Sequence, residues 1–252
     1  MRGGSDLTRV LEPPSDVELF ESDGPRWSDD GRRLGAVGMA SRTGSEDGIA
    51  LLVPGHALSD FTGDLLRVAV ALPRRPHLLG HSFGGLVGLA AVLEQPDAFA
   101  SYTHWNSGPR SRDAHEGRLQ ALEAGGSEAL WDLLNPDADL SDPEQEWIHA
   151  SMLATTSGNV WGGARILLDQ VDEVEALKET GVPVLVSHGE FDDVWQHGWQ
   201  RDMAERLGAQ YRVIPGGSHS PQREEPQACA DVLAEFWRQH PDRLHLNRAV
   251  ED

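Results

Sequence analysis

The chain has 252 residues, 39% of them hydrophobic and 25% charged, which is the balance of a globular protein with one large core rather than a disordered or fibrous chain. Its formal net charge of −20 argues against nucleic acid and anionic membrane as partners, since both would be repelled. No window reaches the roughly 18 apolar residues of a membrane span, and one cysteine, Cys229, excludes an internal disulfide and any multi-cysteine metal site.

The amino-terminal "MRGGSDLTRVLEPPSD" lacks an apolar h-region, so no secretory signal is expected and the expected location is the cytoplasm. Within it "TRVLEPP" can supply one strand. Short apolar runs then follow at "DVELFES" (16–22), "GIALLVPG" (48–55), "RPHLLGHS" (75–82), "ASYTHWNSG" (100–108), "GVPVLVSHG" (181–189) and "QYRVIPGG" (210–217). Near-continuous apolar strands alternating with helical patterns predict βα units around a parallel sheet. The helical patterns are "DFTGDLLRVAVALP" (60–73), "GLVGLAAVLEQP" (85–96), which stops at Pro96, and "QACADVLAEFWRQH" (227–240), which closes before Pro241. Residues 110–180 show helical spacing without a strand pattern and hold Trp131, Trp147 and Trp161. They read as a helical insertion between two strands, and residues 241–252 as a loosely held tail.

"Gly80-His81-Ser82-Phe83-Gly84" fits G-x-S-x-G between an apolar strand and a helix. That context matters more than the five residues, because a serine on a tight strand-to-helix turn lifts its hydroxyl out of the sheet beside the next backbone N–H. A serine hydroxyl is a weak nucleophile until a base takes its proton and a third group orients the base. Two later strand ends supply these groups in order: "PVLVSHGEFDD" brings Asp192 and Asp193, with Asp192 favoured, and "YRVIPGGSHSPQ" brings His219. A tight turn needing only small residues is the plain alternative for Ser82, and a solvated strand end is the alternative for the acid pair. His188 and His197 near carboxylates lack the ligand spacing of a known metal site. The glycines of "GGLVGLAA" miss the dinucleotide-binding spacing, so no cofactor is expected.

On "GHSFGG", "PVLVSHGEFDDVW" and "VIPGGSHSPQREEPQACADVLAEFW" the chain resembles the α/β-hydrolase fold enzymes, in their capped branch of esterases, lactonases, C–C bond hydrolases and aminopeptidases. The resemblance implies a mostly parallel central sheet with helices on both faces and a helical cap between the family's sixth and seventh strands. It divides the chain into a core of 1–109 and 181–240 and a cap of 110–180, with the family's usual first strand missing. The family's acid loop, HG-x-x-D, matches His188-Gly189-Glu190-Phe191-Asp192 and selects Asp192. Nucleophile, acid and base carry over onto Ser82, Asp192 and His219.

"PGHALSD" (54–60) resembles the family's turn after its fourth strand, where His56 buttresses the turn. The oxyanion loop then falls in "LFESDGPRWSDDGRRL" (19–34), with Glu21-Ser22 where His-Gly is usual. This implies backbone donors at Phe83 and Asp23. Trp105, Trp131, Trp147 and Trp161 are candidates for an apolar substrate chamber, with ordinary packing the alternative for each. The implied function is a cofactor-independent serine hydrolase of an ester, lactone or thioester of a small apolar molecule. C–C or peptide hydrolysis, acyl transfer, and a haloperoxidase-like side reaction use the same machinery. A binding protein that has lost its oxyanion loop is the alternative from another class. Oligomeric state is open.

Overall fold

In the computed structural model the described residues are 17–20, 38–41 and 57–241, the last stretch without 73, 112–113 and 155–156. The chain divides into two units, 1–53 and 54–252. In the first, β1 (Val17–Phe20) pairs antiparallel with β2 (Gly38–Ser41), Val17 opposite Ser41 and Phe20 opposite Gly38. β1 falls within "DVELFES". The strand expected at "GIALLVPG", the segment "TRVLEPP" and His56 lie outside the described residues.

The second unit is built on a four-stranded parallel sheet in the order β3 (His77–His81), β4 (Ser101–Trp105), β5 (Val184–Gly189) and β6 (Gln210–Ile214). Each strand falls in an apolar run expected from the sequence. β4 and β5 are buried along their whole length, as befits parallel strands covered on both faces. α1 (Leu58–Ala71) precedes the sheet, α2 (Phe83–Glu94) links β3 to β4, and α7 (His197–Leu207) links β5 to β6. α8 (Pro221–Glu224) and α9 (Pro226–Gln239) close the unit.

Strand alternation sends successive side chains of β4 to opposite faces. Tyr102 joins Leu66, Leu89, Val92, Phe99, Val186 and Met203 in the main core. Trp105 turns the other way, onto Ile214 and the α9 residues Cys229, Val232 and Leu233. Burial first, then Glu225 and Glu224, raise the Cys229 thiol to about 11, so it is an un-ionised core residue at neutral pH.

Between β4 and β5 lie α3 (Ala114–Leu134), α4 (Pro143–Ala154), α5 (Ser157–Leu168) and α6 (Val174–Glu179). α3 breaks at Gly125–Gly126, where Gly126 has φ 67°, a left-handed angle that glycine adopts without penalty. Leu119, Leu122 and Leu130 of α3 and Ala164 of α5 form a small core of their own. The two crossings into this helical segment are tied together. Ser111 N–H donates to Gln170 O at 3.3 Å, and the Gln170 side-chain amide donates to Gly108 O at 2.7 Å. Among the described residues no helix is long and apolar enough to cross a membrane.

Candidate active site

The C-terminal ends of β3, β4, β5 and β6 bring the chemistry-bearing residues to one rim of the sheet. β3 ends at His81, α2 begins at Phe83, and Ser82 between them has φ 52° and ψ −120°. A non-glycine residue held at positive φ costs about 1–3 kcal/mol and persists only where its surroundings enforce it. Here Ser82 N–H donates to Trp105 O at 3.0 Å, and Ser82 O accepts from Gly85 N–H at 2.9 Å. Gly80 permits the turn, because a β-carbon there would overlap the Gly84 carbonyl. As the first residue of α2, Phe83 has a backbone N–H with no carbonyl one turn back to bond. Its ring packs edge-on against Phe61 of α1 at 5.1 Å.

His219, on the loop after β6, faces the serine and the acid at once. Its Nε2 lies 3.0 Å from Ser82 Oγ and its Nδ1 lies 3.0 Å from Asp192 Oδ1. An ionised carboxylate only accepts, so Nδ1 carries the proton and donates to Asp192, leaving Nε2 to accept from the Ser82 hydroxyl. Asp192 Oδ1 also accepts the Val194 N–H at 3.0 Å. Asp192 is buried whereas its neighbour Asp193 is exposed. Burial pushes the Asp192 carboxyl up. Donation from His219 and His219's nearby charge, with smaller contributions from Val194 N–H and the Asn106 side chain, outweigh that and hold it below the usual carboxylate range. The site therefore contains a serine, an imidazole positioned to take its proton, and an anion behind the imidazole.

The loop carrying His219 is held at several points. His81 Nε2–H donates to His219 O at 2.7 Å, and burial lowers the His81 pKa, which suits a neutral structural donor. The Ser218 N–H and O–H both donate to the Glu224 carboxylate. Beneath the loop, a β-carbon on Gly189 would overlap the carbonyl oxygens of Ser218 and Gly217. Gly189→Ala is therefore expected to cost about 1–3 kcal/mol of stability by overpacking. Urea denaturation checks it, and an unchanged midpoint would mean the loop gives way freely.

Other candidates from the sequence fall in different settings. Asp23 and the rest of 21–34 lie outside the described residues. Trp105 is buried under α9, and Trp131 is buried against His149 within the helical segment, their rings 4.8 Å apart. Trp147 is 65% exposed on α4. Trp161 borders a mainly apolar cavity of about 380 Å³, shared with Leu58, Leu86, Leu89, Ile166 and Val171. Two further cavities lie at the opposite rim, around Gly181–Pro183, away from the serine. His188 and His197 stack at 4.2 Å, with His188 Nε2 bonded to Tyr211 Oη at 2.6 Å and His197 Nε2–H donating to Asp192 O at 2.7 Å. Among the described residues no three His, Cys, Asp or Glu side chains are gathered to hold a metal ion. Asn106 and Glu224 were not singled out by the sequence; the five-residue step from His219 to Glu224, across the Pro221 turn, was the only local signal.

Residues 23–232 match the family model described as "Alpha/beta hydrolase family". Among curated proteins, the "Putative carbamate hydrolase RutD" of Agrobacterium fabrum is 28% identical over 192 residues, 71% of this chain and 74% of that one. Its namesake from Variovorax paradoxus is 40% identical over 86 residues, 32% of each chain. The "Pimeloyl-[acyl-carrier protein] methyl ester esterase" of Aeromonas salmonicida is 26% identical over 195 residues, 68% of this chain and 73% of that one. Among solved structures, a thermophilic esterase from Thermogutta terrifontis superposes with a TM-score of 0.63 at 24% identity, covering 75% of this chain and 76% of that one.

Proposed function

We propose, from the fact that the chain belongs to the alpha/beta hydrolase family, that it is a serine hydrolase of a carboxylic ester, lactone or thioester, with Ser82, His219 and Asp192 as its triad. The observation that carries this reading is the continuous hydrogen-bonded path from Ser82 Oγ through both ring nitrogens of His219 to Asp192. Ser82 Oγ attacks the substrate carbonyl as His219 Nε2 takes its proton. Asp192 keeps the ring in the tautomer with Nε2 free and stabilises the imidazolium that forms. The tetrahedral oxyanion takes a hydrogen bond from Phe83 N–H. Collapse expels the alcohol or thiol, protonated by His219, and leaves Ser82 acylated. Water, activated by the same imidazole, then releases the acid. No cofactor enters these steps.

In this reading the helical segment is the cap, and its apolar cavity beside α2 supports a small, largely apolar acyl group. A carbamate carbonyl, the group for which two of the relatives are named, is open to the same attack. A fluorophosphonate probe followed by peptide mapping, run beside p-nitrophenyl esters of increasing chain length, a thioester and a carbamate, tests the proposal. Labelling at Ser82 with turnover of at least one acyl compound is expected. A folded protein that neither labels nor turns over any of them overturns it and favours a binding protein.

A further inference from the structure

Asn106, directly beyond β4, is fully buried and has φ 44°; with Ser82 it is one of two non-glycine residues at positive φ among the described residues. Such angles cluster where surrounding structure holds a residue for a purpose. Its own N–H donates to Ser187 O at 2.8 Å, extending the β4–β5 ladder, and the carbonyl just before it, Trp105 O, receives the Ser82 N–H. The Asn106 side-chain amide donates to Ser218 O at 2.9 Å, one residue from His219. The same side chain lies beside the Asp192 carboxylate, where it helps to hold that carboxyl below its usual range. Three segments far apart in sequence thus meet on one dipeptide: the serine turn through Trp105, and the acid and the base loop through Asn106.

Resting on the triad reading above, we infer that Asn106 is a positioning residue that holds the His219 loop against Asp192, its amide donating to the Ser218 carbonyl while it lies beside the Asp192 carboxylate. An amide suits the place because it offers two donors and no charge. Asparagine also tolerates the left-handed backbone better than most residues. Glu224 grips the remaining polar groups of Ser218, so the residue before the base has no polar group left to swing on.

Two variants separate this role from simple filling of a buried site. Asn106→Asp keeps the shape, removes both donors and adds a carboxylate. Asn106→Gly keeps the backbone angle without strain and removes the amide. Besides Asp192, the titratable groups close to this cluster are His219, His81, His188, His197 and Glu224. Each variant is expected to lose about 10- to 100-fold in kcat with KM little changed, since small displacements of reacting groups carry penalties of that size. In Asn106→Asp the acid limb of the pH–rate profile moves to higher pH, because a second carboxylate favours the imidazolium. The low-field proton resonance of His219 Nδ1–H, read without substrate, shifts or broadens in both variants.

Folded variants with wild-type kcat, an unmoved acid limb and an unmoved resonance overturn the inference. So does failure of both to fold, which would make Asn106 structural only. If the wild-type protein turns over no acyl compound, the hydrolase reading falls, and the resonance alone still decides the role of Asn106.

Discussion

Ser82→Ala is expected to lower kcat for p-nitrophenyl ester hydrolysis by about 10⁴-fold or more, with little change in stability. The size follows from the role proposed for the residue. In that mechanism there is no acyl-enzyme without Oγ, and His219 Nε2 is left with only water to activate. The fold should tolerate the change, because alanine keeps the β-carbon and the backbone bonds that pin φ at 52° come from Ser82 N–H and O, not from the hydroxyl. The one hydrogen bond removed runs from Ser82 Oγ to a partly exposed imidazole that water can reach. Steady-state rates with a thermal melt of each protein make the measurement. Equal rates in wild type and variant, both folded, would remove Ser82 from the reaction and leave His219 and Asp192 as an ordinary hydrogen-bonded pair.

The serine turn was legible in sequence because its constraints are local: a strand, a glycine that permits close approach and a helix lie within a dozen residues. The four strands of the parallel sheet were legible for a related reason, since each is a short apolar run bounded by Gly, Ser, Asp or Pro. β2 was not, because "GMAS" has neither a branched run nor alternation and gains its strand character from pairing with β1. Asp192 and His219 could be named from their order and loops, but only the folded chain puts both within 3.0 Å contacts of one another and of the serine path.

The tryptophans show the limit. Trp105, Trp131, Trp147 and Trp161 look alike in sequence, yet one lies in the core under α9, one inside the helical segment, one on the surface and one at a cavity. Asn106 was invisible for a different reason. Its importance lies in a backbone angle and in a contact with a residue 112 positions later.

Between pH 7 and pH 4 the protein is expected to lose about 3 kcal/mol of stability through His104 alone. This side chain has no solvent exposure and lies directly behind the serine turn, where a β-carbon on Gly85 would crowd its ring. Tyr102 O–H donates to Gly85 O at 2.5 Å, so its oxygen is free to accept from His104 Nδ1–H at 2.8 Å, and the ring sits there neutral. Burial is the main cause of its shift from 6.5 to about 4, partly opposed by the backbone of Gly108 and Ser107. The sign follows from which state takes the proton. Above pH 6.5 the ring is neutral in both folded and unfolded chains and contributes its full stability. As pH falls from 6.5 towards 4 the unfolded chain binds a proton that the folded chain refuses, and stability drains away until both are protonated. His81 and His188, also lowered by burial, add to the same slope. His104→Phe isolates the effect: the variant loses the Tyr102 bond and is weaker at pH 7, but its stability falls less steeply between pH 6.5 and 4. Urea denaturation at a series of pH values reads the two slopes. Parallel curves would mean that water reaches the ring or that the turn opens to let it protonate, and the serine would then rest on a softer support than this packing implies.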